Sequence, residues 1–303
     1  MHETAPTKFT GAKKYVLDEE LAKIVNVTMG LEMPLLLKGE PGTGKTMLAH
    51  AISEAFGMRL IVLNVKSSMK LIDALYQYDT LTRLNDSRFG DSKRDVSNIE
   101  DYIKMGKIGQ AFVADKRVVL LIDEIDKADA EFEAFLLELL SDFQVTVPEI
   151  GTFKAHQIPL VVLTSNNARE MSDALKRRCL HLYIDFPERE QELAIIKLKA
   201  PESADKLAAE VVTVVQSLRK LDLKKSPGIS ETIDWVKALT LLNVQNLDQD
   251  LVNETLDTIV KYEGDVRKAQ EELKEYVRRA RTRRGSDTGP AGGPPASDKD
   301  LLN

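Results

Sequence analysis

The chain has 303 residues, enough for one large domain or two modest ones, and 43% hydrophobic with 30% charged residues is the balance of a globular chain rather than a disordered or fibrous one. A formal net charge of −6 argues against a protein that grips nucleic acid through a broad basic face. The single cysteine, Cys179, excludes an intrachain disulfide, no apolar run reaches the roughly 20 residues a membrane span needs, and the N-terminus lacks the basic and apolar regions of a signal peptide, so a cytoplasmic protein without a membrane span is expected.

Residues 1–14 are expected to form a flexible arm. Asp18 is placed to cap a helix over Glu19 to Met29, with Leu21, Ile24, Val25 and Val27 apolar. Leu35-Leu36-Leu37 reads as a buried strand, and Met47 to Phe56 as a helix. Between them lies Gly39-Glu40-Pro41-Gly42-Thr43-Gly44-Lys45-Thr46, which fits the pattern G-x-x-x-x-G-K-S/T. A strand, a glycine-bearing turn and a helix make a phosphate cradle: glycines let backbone N–H groups face inward, and the helix N-terminus adds partial positive charge. Lys45 is expected to reach the β- and γ-phosphates and the Thr46 hydroxyl to hold Mg²⁺, with Gly39 through Met47 as the nucleotide-binding residues.

Leu60 to Val65 is a second buried strand, and Met69 to Tyr76 a short helix. From Asp79 to Asn98 charges of both signs alternate with few apolar anchors; the stretch reads either as a solvated loop or as an insertion that contacts a partner. Ile99 to Ala114 reads as a helix interrupted near Gly106 and Gly109. Val118 to Ile122 is an apolar strand ending in Asp123-Glu124. Ends of strands are where open parallel sheets place ligands. Asp123 is therefore the candidate carboxylate that serves Mg²⁺ through water or from behind its direct ligands, and Glu124 the candidate that orients and polarises the attacking water.

Glu131 to Phe143 reads as an amphipathic helix with Phe132, Phe135, Leu136, Leu139 and Leu140 inward. A hairpin is expected around Pro148 to Gly151, then a buried strand Leu160 to Ser165 ending at Asn166, a short helix Met171 to Arg178, and a strand Cys179 to Phe186. Glu188 to Lys199 is helical. Four more helices follow, over Ala204 to Lys220, Ser230 to Leu242, Leu247 to Tyr262 and Asp265 to Arg281. The glycines and prolines from Gly285 onward mark a disordered tail. The four histidines are scattered, with no pair at metal-ligand spacing, so no zinc site is expected.

Taken together, Gly39 to Thr46, Leu120-Leu121-Ile122-Asp123-Glu124-Ile125-Asp126-Lys127-Ala128, Leu163-Thr164-Ser165-Asn166-Asn167 and Ala174-Leu175-Lys176-Arg177-Arg178 resemble an AAA+ ATPase, more narrowly the MoxR family. The resemblance covers about Tyr15 to Ala280. It implies an α/β P-loop NTPase core with a five-stranded parallel sheet over 15–200, a small all-α lid over 201–284, and a tail over 285–303. In the family's terms the first motif is Walker A and the second Walker B. The third carries the sensor-1 asparagine, Asn166, and the fourth the arginine finger, Arg178 with Arg177 as the alternative. The stretch after Tyr78 corresponds in position to the family's helix-2 insertion, and the hairpin near Pro148 to its pre-sensor hairpin. One departure stands out: where a sensor-2 arginine is usual, this chain has Gly228-Ile229-Ser230-Glu231-Thr232, so no sensor-2 residue is assigned.

The resemblance implies hydrolysis of MgATP, with Lys45, Glu124, Asn166, Arg177 and Arg178 as catalytic residues and Thr46 and Asp123 holding the metal. An arginine acting in trans demands a head-to-tail contact, which either closes into a ring or runs on as a filament; the resemblance implies the ring, a homohexamer. The implied work is that of a remodelling chaperone with a von Willebrand factor A domain protein as partner and a metalloenzyme as client. Among such ATPases, those associated with molybdenum-containing carbon monoxide dehydrogenases are the most similar in the form of these motifs. The alternative is a nucleic-acid-acting AAA+ motor, of clamp-loader or helicase type, supported by the basic run Arg278, Arg279, Arg281, Arg283 and Arg284; that run also suits the cationic end of a helix.

Overall fold

A computed structural model describes residues 8–13, 15–89, 95–147, 151–244, 246–247 and 249–286. The chain divides into two compact units. The first runs to Pro201 and includes Gly228–Ser230; the second comprises Glu202–Pro227 and the chain from Glu231 onward.

In the first unit the elements are α1 (Glu19–Leu31), β1 (Leu35–Lys38), α2 (Lys45–Phe56), β2 (Leu60–Asn64), α3 (Leu71–Leu75), β3 (Tyr76–Tyr78), α4 (Thr80–Phe89), β4 (Ile103–Met105), α5 (Lys107–Phe112), β5 (Val119–Asp123), α6 (Ala130–Asp142), β6 (Gln144–Val147), β7 (Gly151–Lys154), β8 (Leu160–Ser165), α7 (Asp173–Arg177), β9 (Leu180–Tyr183) and α8 (Arg189–Lys199). Five strands form one parallel sheet in the order β2-β5-β8-β1-β9. The central strands are apolar throughout because both faces are covered. Leu36, Leu120, Ile122, Val161 and Leu163 pack on one face with Phe112, Phe132, Leu136 and Leu139. Leu35, Leu37, Val119, Leu121 and Val162 pack on the other with Val25, Leu48, Ile52 and Phe56. Every second residue of a strand thus serves one core, as the pleat requires.

Several expectations are met closely. Asp18 caps α1, its side chain accepting the Glu20 N–H, and β6 pairs with β7 as the hairpin, its turn at 148–150 lying outside the described residues. Others are corrected. Of the arm expected over 1–14, the described part is anchored: Phe9 is fully buried against Phe56, and its backbone exchanges two hydrogen bonds with the Asn26 side chain. The stretch 79–98 contains a helix, α4, with no buried residue, so it has no apolar face for periodicity to report. The helix expected over Ile99 to Ala114 is a 3-10 turn, the strand β4 antiparallel to β3, and then α5. Gly106 does not interrupt a helix but separates β4 from α5. A Cβ there would lie 2.4 Å from the Ala74 carbonyl oxygen, so only glycine lets the two backbones meet.

The second unit contains α9 (Asp205–Arg219), most of α10 (Ile229–Leu241), α11 (Gln249–Thr255) and α12 (Glu263–Ser286). Leu207, Val211, Val215, Trp235, Leu239, Val252 and Leu273 are buried in it. The helix expected over Leu247 to Tyr262 is shorter. Thr255 Oγ1 donates back to Leu251 O and accepts the Trp235 Nε1–H, and the chain tightens into a 3-10 turn immediately afterward. Gly285 and Ser286, assigned to the tail from sequence, close α12; the rest of that tail lies outside the described residues. Among the described residues, no helix is long and apolar enough to cross a membrane.

Candidate functional site

The site is built at the carboxyl ends of β1, β5 and β8, which lie side by side. Lys38 is in register with Ser165 and Asn64 with Asp123. The chain leaves β1 through Gly39, Gly42 and Gly44, all at positive φ. At Gly39 a Cβ would stand 2.1 Å from the Ile184 carbonyl oxygen, so the loop can pass there only without a side chain. Thr43 Oγ1 donates to Glu40 O at 2.9 Å, bracing the turn from inside. Gly44 then caps α2, whose first residues are Lys45 and Thr46.

Lys45 is buried, and its ammonium donates to Gly39 O at 2.9 Å and Glu40 O at 2.7 Å. Burial pushes its pKa below the ordinary lysine value, opposed by the nearby carboxylates of Glu40, Asp123, Asp126 and Glu124. Met47, one residue past Thr46, lines a cleft of about 320 Å³ with Tyr15, His50, Ala51, Ser53 and Glu54.

Asp123, at the end of β5, is where β8 and the first turn of α2 meet it. Its Oδ1 accepts from Thr46 Oγ1 at 2.9 Å and from Thr164 Oγ1 at 2.5 Å. The Thr164 hydroxyl also accepts the Glu124 N–H at 2.9 Å. Thr164 is buried on β8, and sequence reasoning gave it no role: a hydroxyl near the end of an apolar strand looks like an ordinary polar cap. Glu124 sits in the left-handed region, φ 60°, which turns the chain sharply off β5. Its Oε2 accepts from Lys127 Nζ at 2.5 Å, and that bond holds the lysine pKa above its usual value.

Asp126 is 5% exposed. Its Oδ2 accepts the N–H groups of Asn166 at 3.2 Å and Ala168 at 2.9 Å. Among the described residues its Oδ1 has no hydrogen-bond partner. Asn166 therefore stands one residue beyond β8, tied by its backbone to the turn that follows Glu124. Arg177 and Arg178 end α7, both exposed, and neither forms a hydrogen bond or ion pair with the Lys45, Asp123 and Glu124 group. The structure thus brings together Gly39 to Met47, Asp123, Glu124 and Asn166, and leaves the two arginines facing outward.

A hard cation bound through a hydroxyl, a carboxylate and phosphate oxygens is the usual way Mg²⁺ sits in a nucleotide site. The hydrogen-bonded Thr46–Asp123 pair could hold such an ion, the hydroxyl directly and the carboxylate through water, and no cluster of three or more His, Cys, Asp or Glu side chains forms an all-protein metal site among the described residues.

Residues 35–187 match the family model described as ATPase family associated with various cellular activities (AAA). Among curated proteins, gas vesicle ATPase GvpN1 of Halobacterium salinarum is 23% identical over 260 residues, 80% of this chain and 73% of that protein. Gas vesicle ATPase GvpN of Haloferax mediterranei is 23% identical over 266 residues, 81% of this chain and 74% of that one. Among solved structures, a variant of RuvB from Thermotoga maritima gives a TM-score of 0.52 at 20% identity, over 84% of this chain and 73% of that one. NtrX from Brucella abortus, in complex with ADP, gives 0.53 at 13% identity, over 78% and 52%. At these identities the structural likeness speaks to the fold alone.

Proposed function

Because the chain belongs to the AAA ATPase family, we propose that its ATP hydrolysis is carried out on MgATP at the carboxyl edge of the sheet, by residues with a clear division of labour. Lys45 and the N–H groups of the glycine loop neutralise phosphate charge. Thr46 and Asp123 hold Mg²⁺, which when bound draws charge from the phosphate oxygens. Glu124 polarises the attacking water, and Asn166 aligns it. The observation that carries this reading is the convergence on Asp123 Oδ1 of Thr46 from the phosphate loop and Thr164 from β8. It fixes the metal ligands and the backbone of Glu124 in one hydrogen-bonded unit.

The exposed arginines at the end of α7 complete the site of a neighbouring subunit. A surface arginine with no partner in its own phosphate-binding group suits that role. Supplied in trans, such a cation contributes about 10³–10⁵ in rate. The head-to-tail contact this requires closes into a ring, read here as a hexamer.

The work done with the hydrolysis is remodelling of a partner protein, of the MoxR type, with a von Willebrand factor A domain protein and a metalloenzyme client. The motif forms support this reading. The curated relatives are named gas vesicle ATPases, names that carry no nucleic-acid substrate. The test is affinity purification of Glu124→Gln in MgATP from the source cell. Recovery of a von Willebrand factor A protein, released when ADP replaces ATP, supports the reading. Recovery of nucleic acid instead, with ATPase stimulated by it, contradicts it.

A further inference from the structure

We propose that Asp126 and Arg169 are positioning residues for hydrolysis, two staples that hold the Asn166 loop against the chain leaving Glu124. The proposal rests on the reading of Glu124 and Asn166 given above and adds what keeps the two in register.

Asn166 lies outside the sheet. Beyond Ser165 the chain has no regular structure until α7, and Asn167 sits at φ 57°. No ladder of strand hydrogen bonds fixes this loop, and a left-handed asparagine is a conformation held by its surroundings. The surroundings are specific. Asp126 Oδ2 takes both the Asn166 and the Ala168 N–H, and hydrogen bonds to an ionised acceptor are stronger than neutral ones. Farther along, Arg169 donates to Ala128 O at 2.8 Å and pairs with Glu133 of α6. Glu133, 4% exposed, accepts the Ser172 N–H through its other oxygen at 3.0 Å. Ser172 in turn caps α7 by accepting the Leu175 N–H.

Every one of these anchors on the opposing side belongs to residues 126–133, the segment that begins two residues after Glu124. The loop and the segment therefore move as one body. A displacement of the Walker B turn carries Asn166 with it, so the water-polarising acid and the aligning amide keep their spacing. Neither Asp126 nor Arg169 is placed against substrate; both act through Asn166.

The experiment compares Asp126→Asn, Arg169→Ala, Asn166→Ala and the doubles with Asn166→Ala, measuring kcat, ADP affinity and amide hydrogen exchange at 166 and 168. The near-isosteric Asp126→Asn can keep both N–H groups on its one oxygen, but it exchanges the carboxylate acceptor for a weaker neutral amide and sets a buried NH2 where the unpartnered Oδ1 stands. It is expected to lower kcat by about fivefold or more, keep ADP affinity within about twofold, and speed exchange at both amides. In the Asn166→Ala background it is expected to add no further loss, because both changes remove the same alignment. A smaller loss of kcat, a parallel loss of ADP binding, or a fully multiplicative double variant overturns the proposal. Should Asp126→Asn fail to fold, the half-exposed Arg169→Ala carries the same test with the same criteria. If Asn166→Ala alone hydrolyses at the parental rate, the assignment of Asn166 falls and the proposal with it. If Asn166→Ala is slow while the staple variants match the parent, only the proposal falls.

Discussion

Thr164 and Asp123 are joined by a 2.5 Å hydrogen bond across neighbouring strands, with the hydroxyl donating to the carboxylate that Thr46 also approaches. Through its second bond, to the Glu124 N–H, the same hydroxyl fixes where the chain turns off β5. Removing it leaves a half-buried N–H unpaired and frees the Asp123 carboxylate to rotate. Thr164→Val is therefore expected to lower stability by about 1–3 kcal/mol and to reduce turnover, whereas Thr164→Ser keeps both. Denaturant unfolding and steady-state ATPase of the pair decide it. A valine variant as stable and as active as the parent removes Thr164 from the site.

Lys45→Ala removes the buried ammonium that spans the Gly39 and Glu40 carbonyls. Both nucleotide affinity and turnover are expected to fall, since in the proposed site the charge would serve the β- and γ-phosphates in binding as well as in reaction. Titration with a fluorescent ADP analogue and an ATPase assay read the two effects separately. Near-normal hydrolysis contradicts the assignment of the phosphate loop.

The strands and the phosphate loop were legible because their chemistry is local. Leu35-Leu36-Leu37, Val118 to Ile122 and Leu160 to Leu163 are apolar without interruption, which only a strand covered on both faces tolerates over so few residues. Gly39 and Gly44 stand at fixed distances from Lys45. The acids after Ile122 could be placed once the loop was found. What stayed hidden depends on contacts distant in sequence. Thr164 and Asp126 gain their meaning from partners about 40 residues away. The three-residue strands β3 and β4 are too short to show alternation, and α4 presents no buried side chain that a helical period could reveal. Exposure does not separate Arg178, the proposed finger, from its alternative Arg177, because both are exposed at the end of the same short helix.

Those two arginines supply a test of assembly. Mixing an Arg178→Ala or Arg177→Ala variant with Glu124→Gln is expected to restore part of the turnover that each lacks alone, since one interface in the mixed assembly joins an intact Glu124 to an intact arginine. The arginine whose variant is complemented is the finger. No recovery at any ratio, in assemblies shown by mass to be mixed, argues that the arginines act within their own subunit or not at all.

Cys179 gives a pH prediction with a defined sign. Burial pushes its thiol from the ordinary 9.0 up to about 12, so the unfolded chain loses the proton first and the folded chain binds more protons between those values. Stability from this group is fully present below pH 9 and falls as pH rises toward 12, by at most about 1.4 kcal/mol per pH unit. Unfolding curves at pH 8, 9.5 and 10.5 are expected to decline less steeply in Cys179→Ala than in the parent. Equal slopes contradict the burial argument.

The central claim, that Glu124 polarises water while Asp123 serves the metal, is tested most directly by single-turnover hydrolysis of bound ATP in Glu124→Gln. The substitution keeps size and hydrogen-bonding capacity but removes the charge. The variant is expected to bind MgATP as the parent does and to hydrolyse it slower by about a hundredfold or more. Hydrolysis at the parental rate, or loss of ATP binding, contradicts the division of labour assigned to this pair of acids.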